Sequence, residues 1–190
     1  MRILPILILA LSLVGSSACS STATPRGHYE SLVKELTKAR GTQGTRSSVR
    51  KDLEKRFAKV ESWNKNGELV TPEDKLWGAA TLIHASSPER IALSMELSRQ
   101  AAQAGEPRAL PLLAQGLDKQ ALQNRRPQPY GTQYRFHPDP GLWVLYDIDP
   151  RITDTERAEM GLPPLRELHA KVKELNVQYQ MNLLEAEGNR

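Results

Sequence analysis

RRPQPYGTQYRFHPDPGLWVLYDIDPRITDTERAEMGLPPL, residues 125–165, interrupts a chain that is otherwise patterned as helix. Pro127 and Pro129 lack backbone donors and push the residues before them toward extended conformations, so a regular helix stops ahead of them. Tyr134 and Phe136 alternate with Gln133 and Arg135, and the apolar run Leu142-Trp143-Val144-Leu145-Tyr146 follows the turn-forming His137-Pro138-Asp139-Pro140-Gly141. Two short extended runs around such a turn predict a β-hairpin over 132–146. A hairpin alone is marginal in water, so it needs a helical body to pack on. Beyond it, Thr153-x-x-Glu156 has the spacing of a capping box, which opens a short helix closed by Gly161. Pro163-Pro164 then starts a last helix that carries Leu165, Leu168, Val172, Leu175 and Tyr179 in register. The polar residues after 184 are expected to fray.

Working toward the N-terminus, the apolar residues recur every three or four positions, which is the period of amphipathic helices. Pro107 begins one helix with Leu110, Leu113, Leu117 and Ala121 on one face, and Pro88 begins another with Ile91, Met95, Ser98 and Ala102 inward. The glycine turn at Gly105 makes these two an antiparallel helical hairpin, with Ala101, Ala102, Gly105 and Ala109 small enough to let it close. Thr71-Pro72-Glu73-Asp74 is the clearest helix start: threonine caps, proline suits the first helical position, and the acids favour the positive helix end. Val49, Leu53, Phe57 and Val60 mark a helix flanked by Arg50, Lys51, Lys55, Arg56 and Lys59, and Tyr29, Leu32, Val33 and Leu36 mark the first helix after Thr24-Pro25. The fold class that follows is mainly α: a single helical domain over 26–186 with a small β-hairpin inserted before the last helices, and a frayed tail at 187–190.

The 190 residues suit one ordinary domain. The excess of 26 basic over 22 acidic side chains is interspersed along the chain, so no nucleic-acid partner is expected. Met1-Arg2, the apolar run 3–14 and Gly15-Ser16-Ser17-Ala18 form a secretory signal over 1–18, too short to cross a bilayer core of roughly 30 Å as a comfortable helix. Cys19, the only cysteine, follows it directly, and its position resembles the lipidation site of bacterial lipoproteins. There the cysteine becomes the acylated N-terminal residue, and residues 19–25 form a short tether. Ser16-x-Ala18 also suits cleavage by ordinary signal peptidase. Ser20 after the cysteine resembles lipoproteins sorted to an outer membrane, so the expected location is the bacterial cell envelope, facing the periplasm. With Cys19 acylated there is neither disulfide nor thiolate metal ligand, and the domain must be held by packing.

Chemistry is sparse. The histidines at 28, 84, 137 and 169 occupy no metal or nucleophile motif, and Asp147, Asp149, Asp154 and Glu156 lack the ligand series and glycine of a calcium loop, so neither metal nor cofactor is expected; Asp147 and Asp149 are instead expected to make turn or cap hydrogen bonds and salt bridges to Arg151 or Arg157. The candidate ligand or catalytic residues are Arg126, Gln128, Tyr130, Thr132, Gln133, Asp149, Arg157 and Asp118. They combine neutral hydrogen-bonding groups with cations that Asp118 and Asp149 would hold, a set suited to a polar or anionic ligand. The competing structural reading is that Gly131 permits a tight turn, Tyr130 fills a seam and the glutamines satisfy buried backbone groups. It is favoured because no nucleophile stands beside an activated base. Gly161, Pro163 and Pro164 are structural on either reading.

The run Arg126-Pro127-Gln128-Pro129-Tyr130-Gly131-Thr132-Gln133, followed by Asp149-Pro150, Arg157 and Gly161-Leu162-Pro163-Pro164-Leu165, resembles a bacterial family of unknown function. That family is marked by a Gln-x-Tyr-Gly-Thr-Gln block and a later Arg followed by Gly-Leu-Pro-Pro-Leu, and the likeness covers about residues 76–173. Its members carry Asp-Arg where this chain has Asp118-Lys119, and two adjacent arginines where it has Glu156-Arg157. The resemblance supports the domain and implies no activity or cofactor. The expectation is therefore a lipid-anchored envelope protein acting in binding or assembly, its partners being the membrane through Cys19 and an envelope protein or polar small molecule. The alternative is an extracytoplasmic enzyme using 126–157 on a polar or anionic envelope substrate, and a third reading makes the basic helix over 49–60 a membrane-surface contact.

Overall fold

The computed structural model of the protein describes residues 24–41, 46–138 and 141–188. The expected signal, Cys19 and tether before residue 24, and residues 42–45 of the loop after the first helix, lie outside them. The element order is α1 (Pro25–Gly41), α2 (Arg46–Lys65), α3 (Pro72–Leu82), α4 (Pro88–Gln103), a 3-10 turn (Pro107–Ala109), α5 (Leu110–Gln123), β1 (Tyr134–His137), β2 (Leu142–Leu145), α6 (Asp154–Glu159) and α7 (Leu165–Gly188). It is the mainly helical fold with one antiparallel hairpin before the last helices that the periodicity predicts. The chain divides into two compact units, with the boundary between Gly116 and Leu117 inside α5.

In the first unit α3 is central. Leu76, Trp77, Gly78, Ala79, Ala80, Thr81 and Leu82 are all buried, as befits a helix with little polar surface. It packs against α1, α2 and α4. Phe57, Val60, Trp63, Leu69, Leu97 and Ala101 complete the same core. Each fully buried leucine there contributes about 1.5–3 kcal/mol relative to exposure. Thr71 starts the helix as expected: its hydroxyl accepts from Asp74 N–H at 3.0 Å, and the Asp74 carboxylate accepts from Thr71 N–H at 3.0 Å. Ser94 on α4 donates to the Ala79 carbonyl at 2.9 Å, so the buried hydroxyl is satisfied across the α3–α4 seam. Arg56 donates to His28 O (2.9 Å) and Ser31 Oγ (3.1 Å), which removes it from the basic stripe expected on α2 and ties that helix to α1. α4 and α5 approach each other tightly at Gly116, where an added Cβ would collide with the Met95 side chain.

In the second unit the hairpin pairs Tyr134 with Leu145 and Phe136 with Trp143. Asn176 on α7 accepts from Trp143 N–H at 2.6 Å and donates to Trp143 O at 2.9 Å, so one side-chain amide does for β2 what a further strand would. The Phe136 ring lies 5.5 Å from Trp143 and 5.1 Å from Tyr179, which seats the hairpin on α7. Asp154 accepts from Leu165 N–H at 2.7 Å, and α7 accordingly starts at Leu165 rather than at the prolines. It runs on to Gly188, through residues 187–188 that were expected to fray, because 183–187 are strong helix formers.

α5 ends in an unusual way. Arg125 N–H bonds to Leu122 O and Arg126 N–H to Ala121 O, a Schellman closure whose left-handed residue is Arg125 at φ 55° rather than a glycine. A side chain in that conformation costs about 1–2 kcal/mol. Arg125→Gly should therefore stabilise the protein by about 0.5–1 kcal/mol in urea unfolding, with an unchanged slope. A loss of stability would show that the arginine side chain contributes more than its backbone strain costs.

Candidate functional site

The segment from Gln128 to Gln133 has no regular secondary structure, yet parts of it are deeply buried, so its backbone polar groups need partners from elsewhere. Gln128 supplies many of them. Its own N–H bonds to Asp147 O and its carbonyl accepts from Asp149 N–H, both at 2.9 Å, forming a short parallel bridge. Its side-chain Oε1 accepts from Gln133 N–H at 2.8 Å, while Nε2 donates to Gln133 O and to Tyr146 O at 3.0 Å each. Every donor and acceptor of that amide plane meets backbone, at the base of the hairpin where Tyr146 N–H also reaches Gln133 O. The proline-rich chain before it leaves the helix in an extended path, and this delivers Gln128 to the hairpin edge.

Asp118 on α5 and Arg157 on α6 hold the rest. The Asp118 carboxylate accepts from Tyr130 N–H (2.6 Å), Thr132 N–H (2.7 Å) and the Thr132 hydroxyl (2.7 Å). Arg157 donates through Nη1 to the Tyr130 carbonyl and through Nε and Nη2 to the Pro163 carbonyl, at 3.1 and 2.9 Å. The peptide of Tyr130 is thus gripped by an anion at its N–H and a cation at its carbonyl. Gly131, at φ 71°, lets the chain turn between them, and a Cβ there would lie 3.0 Å from both Ile148 Cδ1 and Leu168 Cδ1. Asp118 and Gln128 are 0% exposed and Arg157 is 2% exposed, so these three side chains present no face to a ligand from solvent. Burial pushes the Asp118 carboxyl above its ordinary value, opposed by the donors on Thr132 and Tyr130 and by Arg157. Burial lowers the Arg157 guanidinium in turn, against Asp154 and Asp118.

The remaining expected residues lie differently. Asp149 binds neither Arg126 nor Arg157; it holds Arg151, at 2.6 and 2.9 Å, and that arginine keeps its carboxyl down at about 2. Arg126 is exposed. The Gln133 side chain donates to the Thr132 hydroxyl at 2.9 Å. The Gly-Leu-Pro-Pro-Leu block has a local explanation: Gly161 ends α6 at φ 65°, Leu162 is buried, and Pro163 offers its carbonyl to Arg157. The cation expected to meet Asp118 and Asp149 is therefore a backbone clamp instead. Two participants escaped the sequence reading. Asp154 enters the sequence reading only among the acids weighed as calcium ligands, and Asn176 lies in the apolar register of Leu168, Val172 and Tyr179, where a polar residue signals a buried partner. Among the described residues no group of acidic, histidine or cysteine side chains could hold a metal ion. No family model, curated protein or solved structure matches the chain.

Replacing the Asp118 carboxylate by an amide would set an NH2 group against backbone donors. Asp118→Asn should cost about 2–4 kcal/mol in urea unfolding, whereas Thr132→Val, which removes one of the three donors, should cost about 1 kcal/mol. Equal, small losses would contradict the clamp.

Lys119 yields a pH prediction. Desolvation lowers its ammonium from 10.5 to about 8. Between these values the unfolded chain binds more protons than the folded one, so stability rises with pH over the window. Tyr29, Tyr130 and Tyr134, raised by burial, pull the other way above their ordinary value of 10. Urea midpoints should thus climb from pH 8 to 10 and flatten in Lys119→Met; a midpoint that falls over that range contradicts the assignment.

Proposed function

We propose that the protein is a lipid-anchored component of a bacterial cell envelope that acts by binding or assembly rather than by catalysis. The observation carrying the anchor is the front end: one basic residue, a short apolar run, small residues, and the chain's single cysteine at position 19. Among the described residues no helix is long and apolar enough to cross a membrane, so attachment through the acylated N-terminus does not compete with a span further on. The absence of catalysis is supported by the employment of Asp118, Gln128 and Arg157, which bind the chain's own backbone. On this reading the two sequence blocks shared with the resembling family mark a common fold rather than a common reaction. The enzyme alternative would draw on Tyr130, Thr132, Gln133 and Asp149, but the Thr132 hydroxyl meets a carboxylate, Asp118, that is 0% exposed and already holds two backbone amides, and Asp149 is held apart from it by Arg151.

In a two-membrane bacterium, globomycin or Cys19→Ala should leave an unprocessed precursor or a chain lost from the membrane fraction. Unchanged processing and fractionation would contradict the anchor.

A further inference from the structure

α7 carries two apolar stripes where a helix packed on one body needs one. Leu168 and the half-buried Val172, Asn176, Tyr179 and Leu183 form the inward stripe, which holds the hairpin. Val177, Met181 and Leu184 form the other, exposed to 59%, 49% and 68%. Their spacing of four and then three residues is that of coiled-coil core positions, on a helix of 24 residues whose other exposed side chains are mostly polar or charged. An apolar seam of this width has no use in the fold of the unit that carries it.

We propose that this stripe pairs with the same stripe of a second copy, with the two α7 helices antiparallel about a two-fold axis at the level of Tyr179. The charges flanking the stripe select that occupant. Lys171, Lys173 and Glu174 precede it, two cations and one anion, and Glu185 follows it, all exposed. A parallel copy would set like charges side by side. An antiparallel copy in this register sets Val177 against Met181 of the second copy and Lys171 beside Glu185 of the second copy, and symmetry repeats each contact. Leu184 then lies over the aliphatic stem of Glu174, whose carboxylate stays bound to Lys171 at 3.0 Å at the rim. An anionic membrane surface is the poorer occupant, because the acidic end of the stripe would be repelled from it. Within one chain Lys171 and Glu185 lie about 21 Å apart along the helix, at 1.5 Å per residue, so they meet only between copies. The inference names a partner for the assembly role proposed above and rests on that reading for its biological sense. Anchoring fails or holds in membrane fractionation, and pairing fails or holds in sedimentation, so the two outcomes are separable.

The test is sedimentation velocity of the full chain carrying Cys19→Ser, in density-matched detergent, so that neither acyl chain nor disulfide joins copies. A concentration-dependent monomer–dimer equilibrium is expected. Met181→Glu should leave only monomer with an unchanged melting temperature. Lys171→Glu and Glu185→Lys should each weaken the dimer about tenfold, and the double variant Lys171→Glu/Glu185→Lys should return to within about threefold of the parent. Monomer at every concentration overturns the proposal. So does association that ignores Met181→Glu, or charge variants whose effects simply add. Binding of the monomeric chain to phosphatidylcholine–phosphatidylglycerol vesicles, lost in Met181→Glu, would assign the stripe to a membrane and likewise overturn it.

Discussion

A buried peptide segment without helix or ladder must find a partner for each N–H and carbonyl, and most of the second unit is arranged to meet that requirement for residues 128–133. Asp118 and Arg157 grip opposite sides of the Tyr130 peptide, and the Gln128 amide clasps Gln133 and Tyr146. These side chains come from α5, from the segment itself and from α6. None of the three elements can be placed correctly unless the other two are. The charges make the arrangement unforgiving: opposite charges on either side of one buried peptide offset each other when both are present, and removal of one leaves the other less compensated.

That constraint explains local features that would otherwise look unrelated. α5 must end abruptly so that the chain can turn toward the hairpin, and it does so through a left-handed Arg125. α6 is only six residues long, yet it has a full capping box between Thr153 and Glu156, which fixes the helix that presents Arg157. Asp154 stands 3.7 Å from Arg157 Nε and also accepts the first N–H of α7, joining the clamp to the helix that seats the hairpin. The polar side chains of the clamp are turned inward, and among the polar residues that α7 exposes stand three apolar ones, Val177, Met181 and Leu184.

The helical pattern was legible because period and caps are local properties. Thr71-Pro72, Thr153-x-x-Glu156 and Gly161 name their own positions, and the alternation at Tyr134 and Phe136 located the hairpin to within two residues. The clamp was only half legible. The glutamines could be read as backbone partners because an irregular proline-containing segment needs them, but which acid would meet which base depends on how α5 and α6 are brought together. Asp149 pairs with Arg151 two residues on, a contact of local geometry, while Asp118 passes over every cation for two backbone amides and a hydroxyl. The closeness of Gly116 to Met95 was hidden for a related reason, since the spacing of small residues does not reveal the depth at which two helices touch.

The central claim is that buried side chains, rather than secondary structure, hold the 128–133 backbone. Residue-resolved amide hydrogen exchange tests it most directly. The Tyr130, Thr132 and Gln133 amides should be protected to the level of the hydrogen-bonded amides of α5, and in Asp118→Asn the first two should lose that protection with Gln133 less affected. Exchange of Tyr130 and Thr132 at the rate of exposed loop amides in the unaltered protein would contradict the account.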